Sequence, residues 1–325
     1  MQPKALIAMS GGVDSSVAAA IMLDKGYECT GFTLKLGKTE NSCSARDIND
    51  AKDVADRLGI LHQVLDYSDE FEEQVIRRFI ETYEQGATPN PCVVCNRFIK
   101  FNLQLLCRHK VDFDFLATGH YARTERDQIS GRFILRKALD SQKDQSYVLY
   151  GLDQKQLGYA CFPLGELTKN RVREIAADKK FINNAKAESQ DICFVPDGDY
   201  GKFIETHTGK KYPEGDIVDT EGKLLGRHRG IIHYTIGQRR GLGVAANVPL
   251  YVAAKSIVAN TVTLAPDSGP GLGFGLSLYS KSLTAKDINL IVCECLDKPL
   301  RVTVKTRYLQ TAQPATAKRG LQDER

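Results

Sequence analysis

Two hydrophobic rhythms alternate along roughly the first 120 residues of the chain. Short apolar runs of strand length stand at residues 5–9, 29–34, 62–65 and 113–117. Between them, apolar residues return on helical spacing. Residues 17–23 form an Ala-rich apolar stretch that ends near Gly26. Ile48, Ala51, Ala55 and Leu58 share one helix face, which Gly59 can close. Phe71, Val75, Phe79 and Tyr83 recur every fourth residue, and that helix stops near Gly86. Such alternation predicts a parallel sheet with helices over both faces. Ligands of these sheets bind beyond the carboxyl ends of the strands. The turns at residues 10–16 and 118–121 both fall at such ends.

The alternation fades after residue 205, and Tyr212-Pro213-Glu214-Gly215-Asp216 reads as a turn-rich boundary. Residues 216–218 and 223–225, joined through Thr220-Glu221-Gly222, read as a hairpin. Residues 250–258 and 261–264 around Ala259-Asn260 read as another. The Gly-rich stretch at 267–275 reads as a linker, and residues 288–293 and 300–304 as strands. The expected class is α/β: a parallel-sheet domain over 1–205, a small β-rich domain over 206–268 and a β-barrel-like tail over 269–325.

With 325 residues, 42% of them hydrophobic and 26% charged, the composition is that of a soluble globular protein with room for more than one core. No apolar run approaches a membrane span and no signal pattern opens the chain, which makes the cytoplasm the default and excludes a membrane partner. Nine cysteines, an odd and scattered count, do not suggest a secreted disulfide framework. Net charge is only +4, but its distribution is uneven. Residues 222–255 hold no Asp or Glu, while Lys223, Arg227, Arg229, Arg239, Arg240 and Lys255 are basic. Residues 298–325 carry seven basic residues against two acidic ones. Two basic stretches in one half of the chain point to a polyanionic partner.

The chemistry centres on Ser10-Gly11-Gly12-Val13-Asp14-Ser15-Ser16, set between a strand and a helix. The first N–H groups of a helix lack internal partners, and the helix dipole makes them positive. Gly11 and Gly12 let backbone approach a ligand, and the Ser hydroxyls add donors. This is an anion cradle without the lysine of the Gly-x-x-x-x-Gly-Lys-Ser/Thr loop. A second stretch, Asn90-Pro91-Cys92-Val93-Val94-Cys95-Asn96, places Cys-x-x-Cys at the opening of a helix expected over 97–107. A thiol there favours the thiolate, as nucleophile or metal ligand. The third is Asp191-Ile192-Cys193-Phe194, whose cysteine lies between apolar residues and alone reads as core.

The seven-residue loop resembles the pyrophosphate loop of the N-type ATP pyrophosphatases. The ordered set of stretches resembles the tRNA-specific 2-thiouridylases across nearly the whole chain. That set also includes Ala117-Thr118-Gly119-His120-Tyr121, Lys143-Asp144-Gln145-Ser146-Tyr147, residues 234–243 and Arg307-Tyr308-Leu309-Gln310. The resemblance implies that ATP, with Mg2+, adenylates the C2 oxygen of the wobble uridine of tRNA. It implies ATP contacts at Ala8, Met9, Ser10, Gly11, Gly12, Val13, Asp14, Ser15, Leu34 and Gly119, with Asp14 helping to hold the metal–pyrophosphate group. Cys193 matches the carrier of a persulfide delivered by a cysteine desulfurase or relay protein. Cys95 matches the nucleophile that resolves it, leaving a Cys95–Cys193 disulfide to be reduced. Asn90, Pro91 and Cys92 match positions that touch the target base. His120, Lys143, Asp144, Gln145, Arg307, Tyr308 and Gln310 match tRNA contacts.

Two departures stand out. The Cys92 position is Asp in some relatives, and its thiol leaves a second route open: Cys92, Cys95 and Cys193 as ligands of an iron–sulfur cluster whose free iron binds the donor sulfur. Beyond Tyr308, Pro314 argues against a central strand and residues 318–325 are polar, so the final barrel reads as incomplete. Two other readings remain. An amidating synthetase on the same loop would need an ammonia source, and no glutaminase segment is seen. A protein that binds tRNA or a cluster without turnover is the third.

Overall fold

The computed structural model of the chain describes residues 2–37, 45–107, 112–186, 192–195, 197–267, 279–308 and 310–320. These fall into two compact units: residues 1–71, 92–188 and 284–325 form the first, and residues 72–91 and 189–283 the second.

In the first unit β1 (Lys4–Ala8), β2 (Glu28–Lys35), β3 (Leu61–Asp66), β4 (Phe115–Thr118) and β7 (Ala160–Cys161) form one sheet in the order β3-β2-β1-β4-β7. Every pairing in it is parallel. Between β4 and β7 lies an antiparallel hairpin, β5 (Ala122–Arg126) with β6 (Phe133–Lys137), that the hydrophobic pattern did not announce. Helix α1 (Val13–Asp24) packs against β1, β2, β4, the helix Lys169–Asp178 and α2 (Ala45–Leu58). Val17, Ala18, Ala19 and Ala20 are fully buried. A helix apolar on all sides belongs inside, and alanine lets its neighbours come close. The helices α1 and α2 end where Gly26 and Gly59 were expected to close them.

The second unit carries a four-stranded sheet in the order β10-β11-β8-β9, from β8 (Gly215–Val218), β9 (Leu224–His228), β10 (Leu250–Ser256) and β11 (Thr261–Pro266). Both hairpins read from the sequence are present as antiparallel pairs. The fold is thus a parallel-sheet α/β domain followed by a small β domain and further C-terminal strands, as expected.

Those last strands, β12 (Leu300–Val304) and β13 (Gln313–Ala317), pair only with each other among the described residues, and Pro314 stands opposite Thr303. A two-stranded ribbon has only edges, where a proline is tolerated. Residues 288–293 are not a strand. Their carbonyls are taken by side chains of the first unit: Arg132 donates to Leu290 and Ile291, and Gln154 to Ile291. The Gly-rich stretch at 267–275 lies almost wholly outside the described residues.

Candidate active site

The loop after β1 is built by close approach. Gly11 has φ +72°, and a Cβ on it would stand 2.3 Å from the carbonyl oxygen of Asp47. Gly12 is the N-cap of α1 and offers no capping side chain, so the first amides of the helix keep their donor capacity. The serine hydroxyls differ from expectation. Ser15 and Ser16 are buried and both donate to the carbonyl of Gly12, while Ser15 Oγ also accepts from the Ser10 amide. They fix the loop's own shape instead of lining it with hydroxyl donors. From behind, Asn183 donates to the Gly11 carbonyl at 3.0 Å and to Ser16 Oγ at 2.9 Å. Lys186 reaches the same carbonyl and pairs with Asp47 and Asp50. Burial works against the Lys186 charge, but the two carboxylates outweigh it and raise its pKa.

At the end of β4, Gly119 is the second obligatory glycine, since a Cβ there would lie 2.7 Å from the Ser15 amide nitrogen. Ala8, Leu34 and Gly119 thus sit at or just past the carboxyl ends of three neighbouring strands, around the residues 10–15 loop. Asp14, in the first turn of α1, accepts from Tyr121 Oη at 2.9 Å and from Lys169 Nζ at 2.6 and 2.8 Å. Directly after Gly119 in the chain, His120 is held well below its ordinary pKa, first by burial and then by Lys100, so its ring is neutral. Its Nδ1 lies 2.8 Å from Thr118 Oγ1.

The Cys-x-x-Cys segment lies inside a helix, not before one. The helix begins at Pro91, runs to Cys95 and continues as a π turn over Asn96–Lys100. Proline suits a first helical position, which moves the start six residues ahead of Arg97. It breaks at Phe101 and Asn102, and the Asn102 side chain caps the next helix, Leu103–Cys107. Cys92 is exposed and Cys95 is 7% exposed. Next to Cys95, buried Asn96 donates to the carbonyl of Val148, and its Oδ1 has no partner among the described residues. In the second unit, Cys193 is exposed. Its neighbour Phe194 is buried, 5.2 Å from the Phe79 and Phe203 rings. The cysteine that reads as core in the sequence is presented to solvent by the residues that follow it.

The expected tRNA contacts of the first unit gather in part. Asp144 is buried and spends its carboxylate on the Ala138 and Ser146 amides and the Ser146 hydroxyl. Gln145 bonds both ways with the backbone of Tyr121. Tyr308 donates to the Asp144 carbonyl at 3.1 Å, and Lys305 lies over the rings of Tyr147 and Tyr308. Gln310 accepts from Thr306. In the second unit Lys255 is no free surface charge: burial lowers its pKa to about 8 and it donates to the Tyr234 carbonyl. Among the described residues, no group of three or more His, Cys, Asp or Glu side chains is arranged to hold a metal ion. Lys169, Asn183 and Lys186 were missed by sequence reasoning, which had no signal beyond their positive or amide character.

A parallel sheet with a glycine-built cradle between β1 and α1 defines an α/β protein of the pyrophosphate-loop class. Profile comparison agrees: the profile described as tRNA methyl transferase HUP domain matches residues 3–197, and that of the tRNA methyl transferase PRC-barrel domain matches residues 201–266. The tRNA-specific 2-thiouridylase MnmA of Treponema denticola is 47% identical over 96% of this chain and 84% of its own length. Its namesake from Clostridioides difficile is 42% identical over 99% of this chain and 89% of its own. That from Acetivibrio thermocellus is 45% identical over 94% and 85%. The chain belongs to the tRNA-specific 2-thiouridylase family.

Proposed function

We propose that the protein is an ATP-dependent tRNA-uridine 2-sulfurtransferase of the cytoplasm. Residues 1–205 form its adenylating domain, and the basic stretches of 206–268 and 269–325 help to grip tRNA. The cradle carries the proposal: an uncapped helix N-terminus, two glycines that admit no Cβ, and a carboxylate in the helix's first turn. These fit a polyphosphate. Ala8 to Ser15, Leu34 and Gly119 would hold ATP, and Asp14 would hold the Mg2+ that neutralises phosphate charge. Bound there, ATP is attacked at its α-phosphorus by the uridine C2 oxygen; the bond to the β-phosphate breaks, pyrophosphate leaves, and the C2 oxygen, now carrying AMP, becomes a leaving group.

Asn90, Pro91 and Cys92 touch the base, while His120, Lys143 to Gln145, Arg307, Tyr308 and Gln310 hold the tRNA. The neutral His120 ring offers a hydrogen bond without adding charge. A cysteine desulfurase or relay protein loads Cys193 with sulfane sulfur. The terminal sulfur of that persulfide attacks C2 and AMP departs. Cys95 thiolate then attacks Cys193 Sγ, which releases thiouridine and joins Cys95 to Cys193. Exposure of Cys193 supports its loading by another protein.

Asp14→Ala is expected to stop tRNA-dependent AMP release. Unchanged AMP release would refute the assignment. Mass spectrometry of tRNA nucleosides from cells with and without the chain decides between thiolation and any other adenylating reaction.

A further inference from the structure

A chain of hydrogen bonds runs from the cradle to the edge of the sheet. Its middle link is Thr33 of β2, only 1% exposed. The Thr33 hydroxyl lies 2.6 Å from the Met9 carbonyl oxygen and 2.8 Å from His62 Nε2. That hydroxyl has a single proton. Two oxygens so close need it between them, so Thr33 donates to Met9. The contact with His62 then runs the other way, and the ring must carry its proton on Nε2. His62 stands on the edge strand β3, opposite Gly31 of β2. A Cβ on Gly31 would lie 2.6 Å from Met9 Sδ and 3.4 Å from His62 Cδ2, so the glycine makes room for both side chains.

The Met9 carbonyl belongs to the peptide that opens the loop. In a planar trans peptide the C=O and the N–H point opposite ways, so anchoring this carbonyl aims the Ser10 N–H. The Ser10 N–H donates to Ser15 Oγ at 3.1 Å, and Ser15 Oγ donates to the carbonyl of Gly12, the N-cap of α1, at 3.0 Å. The Met9 amide is tied too, to the Phe32 carbonyl at 2.8 Å. Thr33 and Ser15 each receive one proton and give one, and such chains strengthen link by link. We propose that His62 is a positioning residue of the phosphate cradle, acting through Thr33 on the Met9–Ser10 peptide. This rests on the ATP reading of the loop. A neutral ring has two tautomers, and only Nε2–H completes the chain. The other would set two acceptors against one hydroxyl proton. The choice of tautomer on the outermost strand is thereby coupled to the shape of a loop two strands away.

Nitrogen NMR of the histidine-labelled protein at pH 8 reads the tautomer. Burial holds the His62 pKa below its ordinary value, while the charges of Asp56 and Lys52 on α2 act in opposite directions, so the ring is neutral there. Nε2–H is expected, and Nδ1–H would overturn the proposal. Calorimetric titration with inorganic pyrophosphate and with adenosine then reads the cradle. His62→Leu should weaken pyrophosphate binding about three- to tenfold and Thr33→Val about tenfold, with adenosine affinity unchanged. His62→Gln, whose amide offers an N–H at similar reach, should recover most of the loss. Because His62 acts through Thr33, the double variant of His62→Leu and Thr33→Val should bind like Thr33→Val alone. Additive losses, no recovery in His62→Gln, or an equal loss of adenosine affinity would make His62 a packing residue only and overturn the proposal. So would a His62→Leu variant with the affinity of the parent. A parent that binds neither ATP nor pyrophosphate would instead sink the ATP reading, and this inference with it.

Discussion

Cys95 and Cys193 occupy opposite surroundings. Cys95 lies within a helix at 7% exposure, followed by an asparagine at 1%. Cys193 is exposed, and the burial at its segment belongs to Phe194 and Val195. The difference fits the division of labour proposed for the two thiols. A cysteine loaded by a second protein has to be reachable. A cysteine that must attack one particular sulfur is better kept from solution oxidants and stray disulfides.

The largest effects come from removing either thiol. Cys193→Ser and Cys95→Ser should each lose tRNA thiolation. They should fail at different steps. Cys95→Ser still loads sulfur and attacks C2, so tRNA is expected to remain joined to Cys193 through a disulfide. A denaturing gel shift that disappears with reductant would detect it. Thiouridine made by Cys193→Ser would remove the carrier role.

Cys92→Asp sharpens the comparison from a third position. In the persulfide cycle Cys92 is a base contact, and the variant should keep most of its activity. If a cluster on three thiolates operates, exchange of a soft ligand for a hard one should cost both iron and activity. Iron analysis of anaerobically purified protein, alongside thiolation, separates the two.

A smaller effect is kinetic. Alkylation mapped by peptide mass should modify Cys193 about tenfold or more faster than Cys95, because burial blocks access. Cys29, pushed up to about 11 by burial, should lag with Cys95. Comparable rates at Cys95 and Cys193 would erase the distinction. Asn96→Ala should accelerate alkylation of Cys95 alone. It removes the bond to Val148 and costs about 1 kcal/mol, read as a fall in melting temperature.

The smallest effect concerns the unit that carries Cys193. Burial lowers the Lys255 pKa from 10.5 to about 8. Between those values the unfolded chain binds the proton and the folded unit does not, so stability rises with pH across that window. Below it the cost of the buried charge is constant. The unfolding midpoint of the parent should therefore climb from pH 8 to pH 10, and Lys255→Met should flatten the climb.

What the sequence revealed followed the reach of its signals. Period and turn chemistry are local, so β1 to β4, α1, α2 and the hairpins of the second unit were legible. The β5–β6 hairpin was not, although Asp127 and Gly131 form its turn. Residues 288–293 have strand composition, but Arg132 and Gln154 claim the carbonyls that a ladder would use. Seven consecutive residues made the ATP loop readable. Its supports Lys169, Asn183 and Lys186 are ordinary residues of ordinary segments. Only folding across the length of the first unit gives them a role.

The strand order β3-β2-β1-β4-β7 has a consequence for the protein's birth. The strand made first ends up in the middle of the sheet. A chain that has left the ribosome only as far as β3 shows the apolar far edge of β1 to everything around it until β4 is synthesised. Such an edge invites wrong pairing. Asp14 must wait longer still for Lys169, and Gly11 for Asn183 and Lys186. A nascent chain halted before these residues would display the most recognisable motif of the protein in an unfinished setting.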